Sequence, residues 1–188
     1  MNLIDGSTFQ TDALIAITGW KITSTIKYTP SNLVSQLGIP TDQLTEKETA
    51  MWDTLDSKAD DEILAKFPYL KIHAPKRVTP VKAAMTPFRL YRAIAPPGLT
   101  AEGDNSIVIL KMLGTTSNMA LTELQVLWTY AYFKNKLNKG IDKENVLWDS
   151  ALMSRFGRHR NPCGFGAWHP EMNYDAISYC DCCWVIWD

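Results

Sequence analysis

The sequence predicts a mainly α-helical fold, a compact domain built on an antiparallel helical hairpin at about residues 118–157. First, apolar side chains recur with helical spacing after residue 118, at Leu121, Leu124, Leu127, Trp128, Ala131 and Tyr132. Second, another helical pattern follows after a short connection. Third, strand-like runs are few and short, and we place them near the two termini. An α+β fold remains the alternative, because the apolar run at 107–110 fits a buried strand or a buried helix turn.

The hairpin contains the longest apolar stripes, so we expect it to form the core, with Leu127 buried. The first helix should extend over 118–137 and stop at Gly140, because glycine favours the end of a helix. Asp142 should cap the second helix, which we expect to end at Gly157.

Shorter elements are predicted before the hairpin. Gly38 should stop a helix that opens after Pro30, and Thr41 or Asp42 should cap the next one, which runs to about Leu55. The acids at 60–62 favour a further short helix that ends before Pro68. We also expect a strand at 20–28, a helix at 81–94, and an irregular surface path elsewhere in 63–101.

Length and composition indicate one domain, residues 1–188, with two distinctive sub-regions at 63–101 and 158–188. The chain is 46% hydrophobic and has a formal net charge of −1. This composition excludes a disordered chain, and the small net charge excludes strong overall electrostatic attraction to nucleic acid or membranes. No apolar run approaches the roughly 18 residues of a membrane span, and no basic segment opens a secretory signal. We therefore expect a cytoplasmic protein with no membrane partner.

Charge is segregated in the middle of the chain. Residues 42–62 hold eight acids, whereas the proline-rich residues 63–101 hold none and are basic. The favoured interpretation is that this basic segment packs on the acidic helix or on a neighbouring subunit. A plain solvated surface is one alternative, and binding of nucleic acid or another anion through Lys76, Arg77, Arg89 and Arg92 is the other. A second basic run contains Arg155, Arg158 and Arg160, which we interpret first as a solvated helix end and otherwise as an anion site.

The last 31 residues concentrate cysteine, histidine and tryptophan. Thiolate and imidazole are the ligands that zinc prefers, so the candidate metal ligands are His159, Cys163, His169, Cys180, Cys182 and Cys183. Their spacing does not match a standard zinc finger, and buried thiols are the favoured interpretation. We therefore expect no cofactor, with zinc as the alternative. Trp168, Trp184 and Trp187 are the candidate interface residues, because exposed tryptophans would form an adhesive patch.

Sequence motifs assign no catalytic residue. The chain has no phosphate-binding loop, no G-x-G-x-x-G after a strand, no G-x-S-x-G and no H-E-x-x-H. The expected function is accordingly that of a non-enzymatic structural or interaction protein that works through a protein partner or self-association as a homo-oligomer. An assembly component of phage or viral origin fits this composition. The alternatives are a metal-dependent enzyme or zinc-stabilised module that uses the Cys/His cluster, and the less favoured nucleic-acid-binding accessory protein.

Overall fold

The computed structural model describes residues 26–71, 86–110, 118–137 and 142–160, together with Thr8 and Gln10. In this part of the chain 59% of the residues are helical and 3% are in strand, so the predicted mainly α fold is confirmed. The described α-helices are α1 (Leu33–Gln36), α2 (Glu46–Lys66), α3 (Pro97–Ala101), α4 (Asn118–Phe133) and α5 (Lys143–Arg160), with a 3₁₀ turn at Pro68–Lys71. None of the described helices is long and apolar enough to cross a bilayer.

Helix α2 is one continuous helix of 21 residues, so the prediction of two helices was wrong. It begins at Thr45 rather than at Thr41 or Asp42, because Thr45 and Glu48 form a capping box. The Thr45 hydroxyl accepts the Glu48 amide, and the Glu48 carboxylate accepts the Thr45 amide at 2.8 Å. No glycine or proline interrupts residues 46–66, so the acids at 60–62 lie inside the helix.

The end of α1 is set by Gly38, as predicted. Gly38 has a φ of +68°, the left-handed conformation that commonly follows a helix. Its carbonyl accepts the Arg89 amide at 2.8 Å, and a Cβ built on Gly38 would lie 2.4 Å from the Arg89 carbonyl oxygen. Glycine is therefore required here both for its backbone conformation and for the close approach of residues 86–89.

Residues 86–101 of the basic segment are buried or half-buried rather than a surface path, and the predicted helix at 81–94 was wrong for residues 86–94. Residues 86–90 form neither helix nor strand, and Tyr91 and Ala95 then exchange two backbone hydrogen bonds across a tight turn. The turn presents Ala93, Ile94 and Ala95, all fully buried, to the interior. Tertiary burial of apolar side chains thus overrides the helical pattern.

Helix α4 buries one face in this turn. Trp128 is 2% exposed and stacks on Tyr132, with ring centroids 4.9 Å apart. The Tyr132 hydroxyl is hydrogen-bonded to Thr100 Oγ1 at 2.7 Å, and burial above all raises the pKa of this phenol. Leu127, by contrast, is 48% exposed, so the expectation that it lies in the core was wrong. The helix also ends at Phe133 rather than Leu137, because Asn135 takes a left-handed φ of 52°.

Helix α5 packs most extensively against α2 among the described elements. It continues through Gly157, which is buried inside the helix and does not end it. Phe156 joins Ala59, Ile63 and Leu70 in a core cluster, and a second cluster forms around Leu37 and Phe88. The core therefore extends well beyond the two helices of the predicted hairpin.

The described residues of the two predicted strands, at 107–110 and 20–28, are not in strands. Residues 107–110 form neither strand nor helix, although Ile109 donates a backbone hydrogen bond to Ile94 at 2.8 Å. Most of the predicted strand at 20–28 lies outside the described residues, and residues 26–28 are not in a strand.

Candidate functional site

Ionic side chains line the interface between α2 and α5. Asp56 and Asp60 lie one helical turn apart on α2, and Arg155 and His159 lie one turn apart on α5. Residues four apart share a helix face, so each helix presents a short polar row beside its apolar contacts. The fifth member, Arg89, comes from the segment just before the buried turn.

Asp60 is the centre of this interface. Arg155 donates to it from Nε at 2.6 Å and from a terminal guanidinium nitrogen at 2.5 Å, and His159 Nε2 lies 2.8 Å from the same carboxylate. Burial alone would raise the pKa of this carboxyl, but the hydrogen bonds from His159 and Arg155 outweigh it and lower the pKa below the ordinary value. Asp60 therefore stays ionised and is engaged in joining two helices, which is not the state of a free general base.

Arg89 is the most buried charged group of the site. Its side chain is 8% exposed, donates to Asp56 at 2.6 Å and lies over the Trp52 ring, 4.9 Å from the ring centroid. Within the described part of the chain, neither Arg89 Nε nor Asp56 Oδ1 has a hydrogen-bond partner, although both atoms are buried. Arg89 Nε could therefore donate one further hydrogen bond, and Asp56 Oδ1 could accept one.

A small pocket lies beside the Arg89 guanidinium. Its walls comprise Ser35, Gly38, Ile39, Thr41, Leu44, Trp52, Thr86, Pro87 and Arg89. The Thr86 hydroxyl accepts the Thr41 amide at 3.0 Å across this wall. The space is close to that of a single water molecule, so the pocket suits an ordered water and is too small for a dinucleotide.

The remaining basic candidates have separate surroundings. Arg92 lies 3.5 Å from Asp149 of α5 and over the Tyr91 ring. Partial burial and the neighbouring Arg155 lower the pKa of Arg158, while Asp60 and Asp56 oppose that shift. The Arg89–Asp56 pair is one contact between the basic segment and the acidic helix, as the favoured interpretation predicts. Lys76, Arg77 and the side chain of Arg160 lie outside the described residues.

Of the six candidate metal ligands, the structure places His159 alone, against Asp60. Cys163, His169, Cys180, Cys182 and Cys183 lie outside the described residues, as do the candidate interface residues Trp168, Trp184 and Trp187. Across the described ranges, no group of three or more His, Cys, Asp or Glu side chains converges in a way that could hold a metal ion.

Sequence reasoning missed Asp60 as the centre of the site. The four-residue spacing of Asp56 and Asp60, matched by Arg155 and His159, was a usable signal for two facing polar rows. It was obscured because residues 42–62 hold eight acids, and spacing alone does not say which of them faces another helix.

Comparison with known proteins points to flavoenzymes. The chain is 31% identical to the FAD-dependent monooxygenase avaB of Aspergillus versicolor, over 73% of this chain and 22% of the relative. It is 29% identical to an FAD-dependent monooxygenase of Pyrenophora dematioidea, over 95% of this chain and 32% of the relative. It is 28% identical to the FAD-dependent monooxygenase DEP4 of Alternaria brassicicola, over 96% of this chain and 30% of the relative. No family model and no solved structure matches the chain.

These similarities correct two expectations. A non-enzymatic structural or interaction protein of phage or viral origin is contradicted, because the similar proteins are enzymes from fungi. The expectation of no cofactor, with zinc as the alternative, is contradicted as well, since those enzymes are named for FAD. The chain spans 22–32% of the length of the relatives it matches, and over that span it is similar to FAD-dependent monooxygenases.

Proposed function

We propose that this chain is a helical portion of an FAD-dependent monooxygenase and that the flavin is held mainly by a further portion of such an enzyme. The observation that carries the proposal is the similarity of 28–31% to enzymes of this name, which extends over as much as 96% of the chain. FAD, when bound, supplies the redox chemistry of such an enzyme, and the protein supplies binding and orientation.

The described residues do not fit FAD. A dinucleotide cradle of the common type places a glycine-rich turn between a strand and the N-terminus of a helix, where backbone amides meet the pyrophosphate. The full sequence contains no G-x-G-x-x-G, and the described residues form no sheet from which such a turn could rise. The pocket beside Arg89 is close to the size of one water molecule. We therefore assign no step of the reaction to these residues.

The residues at the α2–α5 interface are suited to holding the helical portion rigid. Asp60 ties α5 to α2 through Arg155 and His159, and Arg89 ties the buried turn to α2 through Asp56. Charge-assisted hydrogen bonds of this kind fix orientation as well as distance. Their proposed role is to position the surface that this portion presents to the rest of the enzyme.

A chimera tests the proposal. The segment of a fungal relative that aligns with this chain is replaced by the 188-residue chain, and bound FAD per polypeptide is measured after desalting. We expect retention of FAD close to that of the unmodified relative. A control that lacks the segment should lose FAD, because the flavin-binding portion is then left without the helical portion that packs against it and stabilises it. The proposal is overturned if the chimera is indistinguishable from the deletion control.

The isolated chain gives a second measurement. Because its described residues form no dinucleotide cradle, titration with free FAD should produce no stoichiometric binding. Saturable binding of FAD to the isolated chain would contradict the assignment of the cofactor to another portion of the enzyme.

A further inference from the structure

Helix α4 carries large apolar side chains on two opposite sides, although the described structure buries only one of those sides. Between residues 118 and 133 the single charged side chain is Glu123. The buried side carries Trp128, Ala131 and Tyr132, each no more than 2% exposed. The apolar residues of α4 therefore extend beyond the face that the described contacts bury.

The opposite side of α4 carries four large apolar residues that are about half exposed. Val126, Leu127, Tyr130 and Phe133 are 51%, 48%, 54% and 46% exposed, and we call them the outer face. Val126, Tyr130 and Phe133 follow the spacing i, i+4, i+7, and Leu127 lies beside them, so the four form one continuous stripe. Contiguous apolar patches of this kind mark interaction surfaces, and aromatic residues are enriched at their centres.

We propose that the outer face of α4 packs against the flavin-binding remainder of the monooxygenase, an inference that rests on the proposed function. The argument for this occupant is length. The chain spans 22–32% of the relatives, so more than two thirds of such an enzyme is available to cover the face. On the opposite side of α4, Trp128 and Tyr132 pack against the buried turn. This packing fixes the rotation of the helix and leaves the outer face exposed.

The test uses the same chimera with two pairs of substitutions. Leu127→Ser with Tyr130→Ser changes the outer face, and Met51→Ser with Tyr69→Ser is the matched control, since Met51 and Tyr69 are 37% and 52% exposed elsewhere on the surface. The measured quantity is the temperature at which FAD is released, followed by flavin fluorescence. We expect the outer-face variant to release FAD roughly 5 °C or more below the unsubstituted chimera, because it loses apolar burial at the interface. The control should change little.

The isolated 188-residue chain shows whether the variants fold. The outer-face pair should melt within about 2 °C of the unsubstituted chain, since both side chains are already about half exposed and little burial is lost within the chain itself. A large loss there would mean that the outer face is covered by this chain's own residues, and would contradict the proposal. A concentration-dependent mass of the isolated chain that the outer-face pair abolishes would identify a second copy as the occupant, which also contradicts it.

The two proposals fail in different ways. A chimera that never retains FAD overturns the proposed function, and the docking inference falls with it. A chimera that retains FAD, and whose outer-face variant releases it at the same temperature as the unsubstituted protein, overturns the docking inference alone.

Discussion

Replacing Asp60 by asparagine tests whether the charged centre of the α2–α5 interface stabilises the fold. The substitution keeps the shape of the side chain but removes the charge that Arg155 and His159 share. Loss of one partner from a fully buried ion pair costs about 3–5 kcal/mol, and loss from an exposed pair costs about 0–1 kcal/mol. The Asp60 side chain is 26% exposed and that of Arg155 is 18% exposed, so the site lies between these limits. We expect the free energy of unfolding to fall by about 2–3 kcal/mol.

The assay is a guanidinium titration of the chain at neutral pH, with Asp61→Asn as the control. Asp61 is exposed on the same helix, so its replacement should cost less than about 0.5 kcal/mol. Arg155→Met should cost about as much as Asp60→Asn, and the double variant should lose clearly less than the sum, because both substitutions remove the same pair.

The pH dependence gives an independent measurement of the same interaction. The pKa of Asp60 is lowered in the folded protein, so its contribution is fully present above the pKa of an unfolded aspartate, about 3.9. That contribution is lost as the pH falls through the folded pKa. The difference between the natural chain and Asp60→Asn should therefore shrink below about pH 4. A loss under about 0.5 kcal/mol at neutral pH, or a difference that does not change on acidification, would refute the reasoning.

Two further pairs of substitutions test the backbone and the core, each by chemical denaturation. Gly38→Ala should cost about 3 kcal/mol, because it combines a left-handed φ of +68° with a Cβ 2.4 Å from the Arg89 carbonyl oxygen. Gly103→Ala should cost about 1–2 kcal/mol, since its φ is +81° but the space around it is open, and equal losses at the two positions would contradict this reading. Trp128→Ala should cost about 3–5 kcal/mol because the indole is 2% exposed. Leu127→Ala should cost less than about 1 kcal/mol in the isolated chain, and a larger loss would show that Leu127 is covered there.

The helical class and several helix ends were readable from the sequence. The apolar periodicity of residues 118–137 and 142–157 predicted α4 and α5, and Gly38 predicted the end of α1. The capping box at Thr45 and Glu48 was also present in the sequence, but Thr41 and Asp42 offered competing caps. These features are local, because a helix is specified by hydrogen bonds and side chains within a few residues of each other.

The relationship to flavin monooxygenases was not accessible to motif reasoning. The relatives are three or more times longer than the part that this chain matches, and this chain contains no G-x-G-x-x-G dinucleotide motif of its own. Without such a motif, the sequence offers no chemical group from which the FAD of the relatives could be inferred.

Which face of α4 is buried was decided by the tertiary structure alone. Both faces carry aromatic and aliphatic residues, so periodicity could not separate Trp128 from Leu127. The side of α4 that carries Trp128 is buried because the stacked rings of Trp128 and Tyr132 pack against the turn at 91–95. The charged site was also decided by tertiary structure. Asp56 pairs with Arg89, 33 residues away, and Asp60 pairs with Arg155, 95 residues away. Only packing determines which of the eight acids at 42–62 find such partners. Local sequence specifies the helices and their ends, whereas the partners across helices depend on long-range packing that no window of sequence contains.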